Sequence, residues 1–204
     1  SKAIIDSGRM LACWTALAID KYEKDSDPSV RKENFDLVEL MTPIIKAMLT
    51  DYGVEITSDM LQIFGGHGYI KEYGMEQFYR DVRIAPIWEG TNGIQALDLA
   101  GRKMPQHMGR LLRRFFHPAL DFIEDNKGDG NLKEFVEPFA KALKGLQKTS
   151  MYMAQRGLSN PYEIGAAATD YLRQFGLVAM GYMWLLMLKV CLLYTSDAAD
   201  DRLR

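Results

Sequence analysis

The sequence predicts an all-α protein, an up-down helical bundle followed by a second helical bundle unit. Three observations carry this. Apolar residues recur at three- and four-residue spacing over long stretches, and no stretch alternates as a half-buried strand would. Glycine, asparagine and proline punctuate the chain between those stretches. At 204 residues with 48% apolar and 25% charged content, the chain is long enough to bury a core in one domain or two small ones.

The first helix places Ile4, Met10, Leu11, Trp14, Leu17 and Ala18 on one face and should end near the polar linker KYEKDSDPSV. A second is expected over 33–64, with Val38, Met41, Ile45, Met48, Tyr52 and Ile56 in phase. Pro43 should kink or split it, with Thr42 capping the second half. GGHGY, residues 65–69, stops it, because three glycines in four positions do not sustain a helix. The segment EYGMEQFYRDVR leads to IAPIWEGTNGIQAL. From Gly93, GIQALDLAGRK reads as a helix capped by Thr91 or Asn92, with Gln95 placed for a capping box. After the break at Pro105, amphipathic stretches follow over 106–126, 131–156 and 161–189. Asn160, Pro161 and Glu163 suit N-cap, N1 and N3 of the last.

The run 175–188 is apolar or glycine throughout. It falls short of the ~20 residues that cross a bilayer, and a lysine follows, so a core helix is expected and a membrane partner is not. The terminal LLYTSDAADDRLR does not continue the helical pattern and resembles sequencing-adapter read-through, so 190–204 is expected to be a non-native tail. A formal charge of −2 gives no electrostatic basis for a nucleic-acid partner. Cys13 and Cys191 lie far apart, and His67, His107 and His117 lack ligand spacing, so neither a disulfide framework nor a metal site is expected. No secretion signal is read, and the cytoplasm is the expected compartment.

Glu89 is the first candidate for chemistry. A carboxylate beside Ile87 and Trp88 in a partly dry pocket has its charged form disfavoured, which makes it a base useful near neutral pH. Gly90 admits close approach, and backbone N–H groups near 89 and 90 can donate to a carbonyl oxygen. The helix start at Thr91–Asn92 favours electron-rich groups. Together these suit proton abstraction next to a carbonyl; spacing alone favours a plainer capped helix preceded by an exposed glutamate. QIFGGHGY offers either an anion nest or, as local pattern favours, an ordinary helix stop with His67 as a turn residue. Arg110, Arg113 and Arg114 share a helix face and are expected to be solvated rather than phosphate-binding. Met180, Met183, Trp184 and Met187 read as core.

In this order and at this distance the two glycine motifs are specific. QIFGGHGYIKEYGMEQFYRDVRIAPIWEGTNGIQALDLAGRK resembles the C-terminal helical domain of the acyl-CoA dehydrogenases, a likeness that covers about residues 4–104. The TNGIQALDLAGRK form and the later helices resemble the 3-methylmercaptopropionyl-CoA dehydrogenase-like branch, which has an additional C-terminal helical domain. The resemblance therefore implies a family domain over 1–104 and the additional domain over 105–189.

It also implies that Glu89 removes the α-proton of an acyl-CoA thioester while the β-hydrogen passes as hydride to FAD, giving a trans-2-enoyl-CoA. Trp88 and Gly90 would line the substrate site. Gln62, Ile63, Phe64, Gly65 and Gly66 would meet the FAD of an adjacent subunit, and Thr91, Asn92 and Gly93 would contact FAD near the following helix. Gly93 departs from a common glutamine and Trp88 from a frequent tyrosine. A homodimer or tetramer, and electron-transfer flavoprotein or a similar acceptor, are the implied partners. The family's N-terminal helical and middle β domains are not in this sequence, so a fragment inactive in isolation is expected. The other readings are a non-catalytic helical oligomerisation module and an acyl-CoA oxidase.

Overall fold

In the computed structural model, residues 1–200 are described, with side chains through Tyr194 apart from Leu193. All regular elements among them are helical: α1 (Lys2–Lys24), α2 (Pro28–Ile63), α3 (Met75–Val82), α4 (Asn92–Leu97), α5 (Arg110–Asn126), α6 (Lys133–Ser159) and α7 (Pro161–Asp200). The polar stretch expected as a linker is mostly helix. Asp27 caps α2 by accepting from the Ser29 N–H at 2.7 Å, and Pro28 occupies the first turn, where its missing N–H costs nothing.

Pro43 does not split α2, which runs unbroken from Pro28 to Ile63. Thr42 caps nothing; its hydroxyl donates back to the Val38 carbonyl at 2.7 Å. An interior proline costs about 3 kcal/mol. Here Leu40, Met41, Ile44, Ala47 and Met48 are all buried around it, and each large apolar side chain returns about 1.5–3 kcal/mol on burial. Packing outweighs the local break.

One core runs through both helical units. Leu11 of α1, Leu40 and Ile44 of α2, Phe115 of α5, Leu146 of α6 and Phe175 of α7 are fully buried members of the same cluster. α7 is its central member, touching α1, α2, α4 and α6. By length and composition α7 could cross a membrane, yet its buried side is packed core. Phe115 meets Tyr182 edge-on at 6.0 Å, and Tyr171 meets Phe175 edge-on at 6.1 Å. α7 also continues past the expected end near Lys189 to Asp200, since no glycine or proline follows Gly181 to stop it. Of the expected tail, residues 201–204 lie outside the described residues.

The arginine face of α5 is not simply solvated. Asp36 of α2, 2% exposed, receives Arg110 through Nε at 2.8 Å and Nη2 at 2.9 Å, while Arg114 reaches Glu33 at 3.0 Å. A bidentate pair across α2 and α5 fixes their register.

Deep between α6 and α7, Ser150 and Tyr171 share a hydrogen bond of 2.8 Å, and the Ser150 hydroxyl donates to the Leu146 carbonyl at 2.9 Å. Burial pushes the Tyr171 phenol well above its ordinary value, partly countered by Ser150. Ser150→Ala should destabilise by about 1–3 kcal/mol, since the buried phenol loses its partner. Tyr171→Phe should cost less, because Ser150 keeps Leu146. Above about pH 10 the unfolded chain ionises Tyr171 while the folded chain holds the proton, so stability should fall as pH rises from there. Denaturation of the wild type and of Tyr171→Phe at pH 9 and pH 11 checks this, with a shallower loss in the variant.

Candidate active site

Past Met48, α2 leaves the core, and its last three turns are only partly covered. It ends at Ile63, followed by Gly65 at φ +57° and a 3-10 turn over Gly65–Tyr69. Gly68 in that turn is buried; a Cβ there would sit 2.6 Å from the Leu61 carbonyl and 2.7 Å from Phe64 Cβ. His67 packs edge-on against Tyr73 at 5.0 Å, a turn residue. After a second short turn, α3 packs back onto α2 and delivers the chain to the loop before α4.

That loop is closed at its neck, where the Asn92 N–H donates to the Pro86 carbonyl at 3.1 Å. Glu89 at its tip has φ +52° and Gly90 φ +85°. A left-handed glutamate is disfavoured by its Cβ and persists only where neighbours hold it. Thr91, not Asn92, caps α4 by accepting from the Ile94 N–H at 3.4 Å. Gln95 does not complete a capping box. Its amide reaches back to the carbonyls of Glu89 at 3.3 Å and Gly90 at 3.4 Å.

Asn92 is taken up by α2. Its Oδ1 accepts from Lys46 at 2.8 Å, and its Nδ2 donates to Asp51 at 2.6 Å, with Thr50 and the Ala47 carbonyl also in reach. Sequence reasoning missed Lys46, Thr50 and Asp51; their signal is the i, i+4 spacing of Lys46 and Thr50 within the mostly apolar middle of α2. α4 continues into a π turn over Asp98–Lys103, closed by the Met104 N–H onto Leu99, which buries Leu99, Ala100 and Lys103. Lys103 pairs with Glu39 at 2.5 Å.

Glu89 is exposed, and so is Trp88 at 56%. The dry pocket expected around the carboxylate is not formed within this chain. Instead, the stretch from Ile63 to Leu97 exposes Ile63, Phe64, Tyr69, Ile84, Trp88 and Ile94, far more apolar surface than scattered single residues. The expected cofactor-binding residues divide into two groups. A Cβ built on Gly65, Gly66 or Gly93 meets no atom within 4 Å, and exposed Gln62, Ile63 and Phe64 flank the first two. Open space at these glycines leaves room for a bound group to approach the backbone. Thr91 and Asn92 have side chains committed to the fold.

Residues 2–104 match the family model described as acyl-CoA dehydrogenase, C-terminal domain, and residues 115–202 match acetyl-CoA dehydrogenase C-terminal like. The chain is similar to 3-methylmercaptopropionyl-CoA dehydrogenase of Ruegeria pomeroyi, with 34% identity over 182 residues, covering 89% of this chain and 31% of the relative. It is 30% identical over 174 residues to the broad-specificity linear acyl-CoA dehydrogenase FadE5 of Mycobacterium tuberculosis, covering 80% of this chain and 28% of that one. Caenorhabditis elegans ACDH-11, solved in complex with C11-CoA, shares the fold at TM-score 0.77 and 23% identity, over 90% of this chain and 30% of its own. The chain thus spans 31% and 28% of the length of the two curated relatives.

Gly68→Ala should destabilise the turn by about 1–3 kcal/mol, because the added methyl meets backbone that has little room to give. Gly66→Ala, with open space around it, should stay within about 1 kcal/mol of wild type, the cost of a glycine exchange. Thermal unfolding of the two variants checks the contrast.

Proposed function

The chain belongs to the acyl-CoA dehydrogenase family, and on that premise we propose that it is the C-terminal part of a flavin-dependent enzyme in which Glu89 takes the α-proton of an acyl-CoA thioester. The observation that carries this reading is the left-handed Glu89, held at the tip of a braced loop on an exposed apolar surface. A strained, non-glycine residue persists where the surrounding structure is organised to present it.

The chemistry follows from what these residues offer. The Glu89 carboxylate accepts the α-proton, and as negative charge develops on the thioester oxygen, the backbone N–H at Glu89 would serve as a donor to it. Gly90 keeps that approach free of a side chain, and Trp88 with Ile87 makes one apolar wall of the site. FAD, when bound, supplies the acceptor for the β-hydrogen as hydride. Gln62, Ile63, Phe64, Gly65 and Gly66 would line the FAD site of an adjacent subunit and Gly93 the FAD site at the start of α4, while Thr91 and Asn92 shape the loop.

The exposed apolar surface is the face that the rest of the enzyme and a second subunit cover, which removes water from around the carboxylate. The isolated 204-residue chain lacks that cover and does not turn over. On the same reading 1–104 is the family domain and 105–189 the additional helical unit. Electron-transfer flavoprotein or a similar acceptor would take up the electrons; hydrogen peroxide released in step with turnover would mark an oxidase instead.

In the full-length enzyme, Glu89→Gln should keep the yellow bound flavin and lose anaerobic bleaching by acyl-CoA by at least about 100-fold, the scale of a lost general base. Bleaching at the wild-type rate would remove Glu89 from this role.

A further inference from the structure

We propose that Asn92 is a positioning residue: with Gln95 it latches the Glu89 loop onto α2 and so holds the base in its left-handed conformation. This deepens the reading above and rests on it. The Asn92 amide is matched at both ends. Its Oδ1 faces the Lys46 ammonium at 2.8 Å, and its Nδ2 faces the Asp51 carboxylate at 2.6 Å and the Ala47 carbonyl at 3.2 Å. Thr50 lies at 3.2 Å from the first and 3.0 Å from the second. All four partners lie within two turns of α2, where Ala47 and Met48 are buried in the core. The same residue closes the loop neck through its N–H to Pro86.

Gln95 completes the hold by donating to the Glu89 and Gly90 carbonyls. A Cβ on Gly90 would stand 2.6 Å from Gln95 Nε2 and displace that amide from the loop carbonyls, in addition to the strain of a side chain at φ +85°. The strain at Glu89 is therefore sustained by side chains that do not touch the reacting atoms. An amide suits the Asn92 position because it is neutral and two-sided, a donor toward Asp51 and an acceptor toward Lys46. A carboxylate there keeps Lys46 and sets two anions at hydrogen-bond distance.

That asymmetry supplies the test, made in the full-length enzyme. Asn92→Asp should lower kcat for substrate-dependent flavin reduction by about 10- to 100-fold, with KM changed less than about threefold and flavin content intact, as a small displacement of a catalytic group does. Backbone amides of residues 86–95 should exchange hydrogen for deuterium faster. Adding Asp51→Asn to Asn92→Asp swaps the amide and carboxylate across the contact, and should restore both kcat and exchange protection. Wild-type kcat in Asn92→Asp, or a double variant as impaired as the single, overturns the proposal. If Glu89→Gln, measured alongside, keeps its turnover, the base assignment fails, and the exchange pattern alone decides whether the latch holds the loop.

Discussion

The structure depends on a stripe of polar side chains along α2. Asp36, Glu39, Lys46 and Thr50 follow steps of three, seven and four residues, so they lie along one side of the helix, with Pro43 in the gap. Each is drawn away from water by packing, and a polar group so placed must find a partner or destabilise the fold. Asp36 takes Arg110 from α5, Glu39 takes Lys103 from the π turn, and Lys46 with Thr50 takes Asn92 from the start of α4. One helix thereby fixes the positions of three later segments. Apolar packing holds them together without specifying register; the polar pairs specify it.

The same helix joins a closed half to an open one. Up to Met48 it is sealed by α1, α5 and α7. Beyond that it carries the glycine turn, α3 and the Glu89 loop, where large apolar side chains face solvent. One left-handed residue stands at the junction: Glu89, followed by Gly90 at positive φ, is anchored through Asn92 to α2 at the edge of the buried half. A side chain at the edge of a rigid core can be held in one place without being enclosed. Enclosure belongs to whatever covers the apolar surface.

Much of this was legible in the sequence. The helix stop at GGHGY, the Thr91 cap, the start of the last helix after Asn160 and the isolation of Glu89 all rest on spacing over a few residues, and the structure has them. Reading fails where local preference meets long-range packing. Pro43 stays inside a continuous helix because its flanks are core, and Arg110 and Arg114 turn to α2 because the buried Asp36 carboxylate needs a cationic partner. Gln95 leaves the capping box because the cap is Thr91, which sets Gln95 one residue beyond N3, and its amide donates to the loop carbonyls instead.

Periodicity and turn chemistry in the chain by themselves determined that the protein is helical, where most helices stop, and that a carboxylate stands before a glycine and a helix start. Only the tertiary structure decided which side chain holds that carboxylate in place. The reason is distance along the chain: Asn92 and Lys46 are 46 residues apart, and Arg110 and Asp36 are 74. Hydrogen bonds between such residues leave no periodic trace, because they depend on how the helices pack and not on what either segment prefers alone.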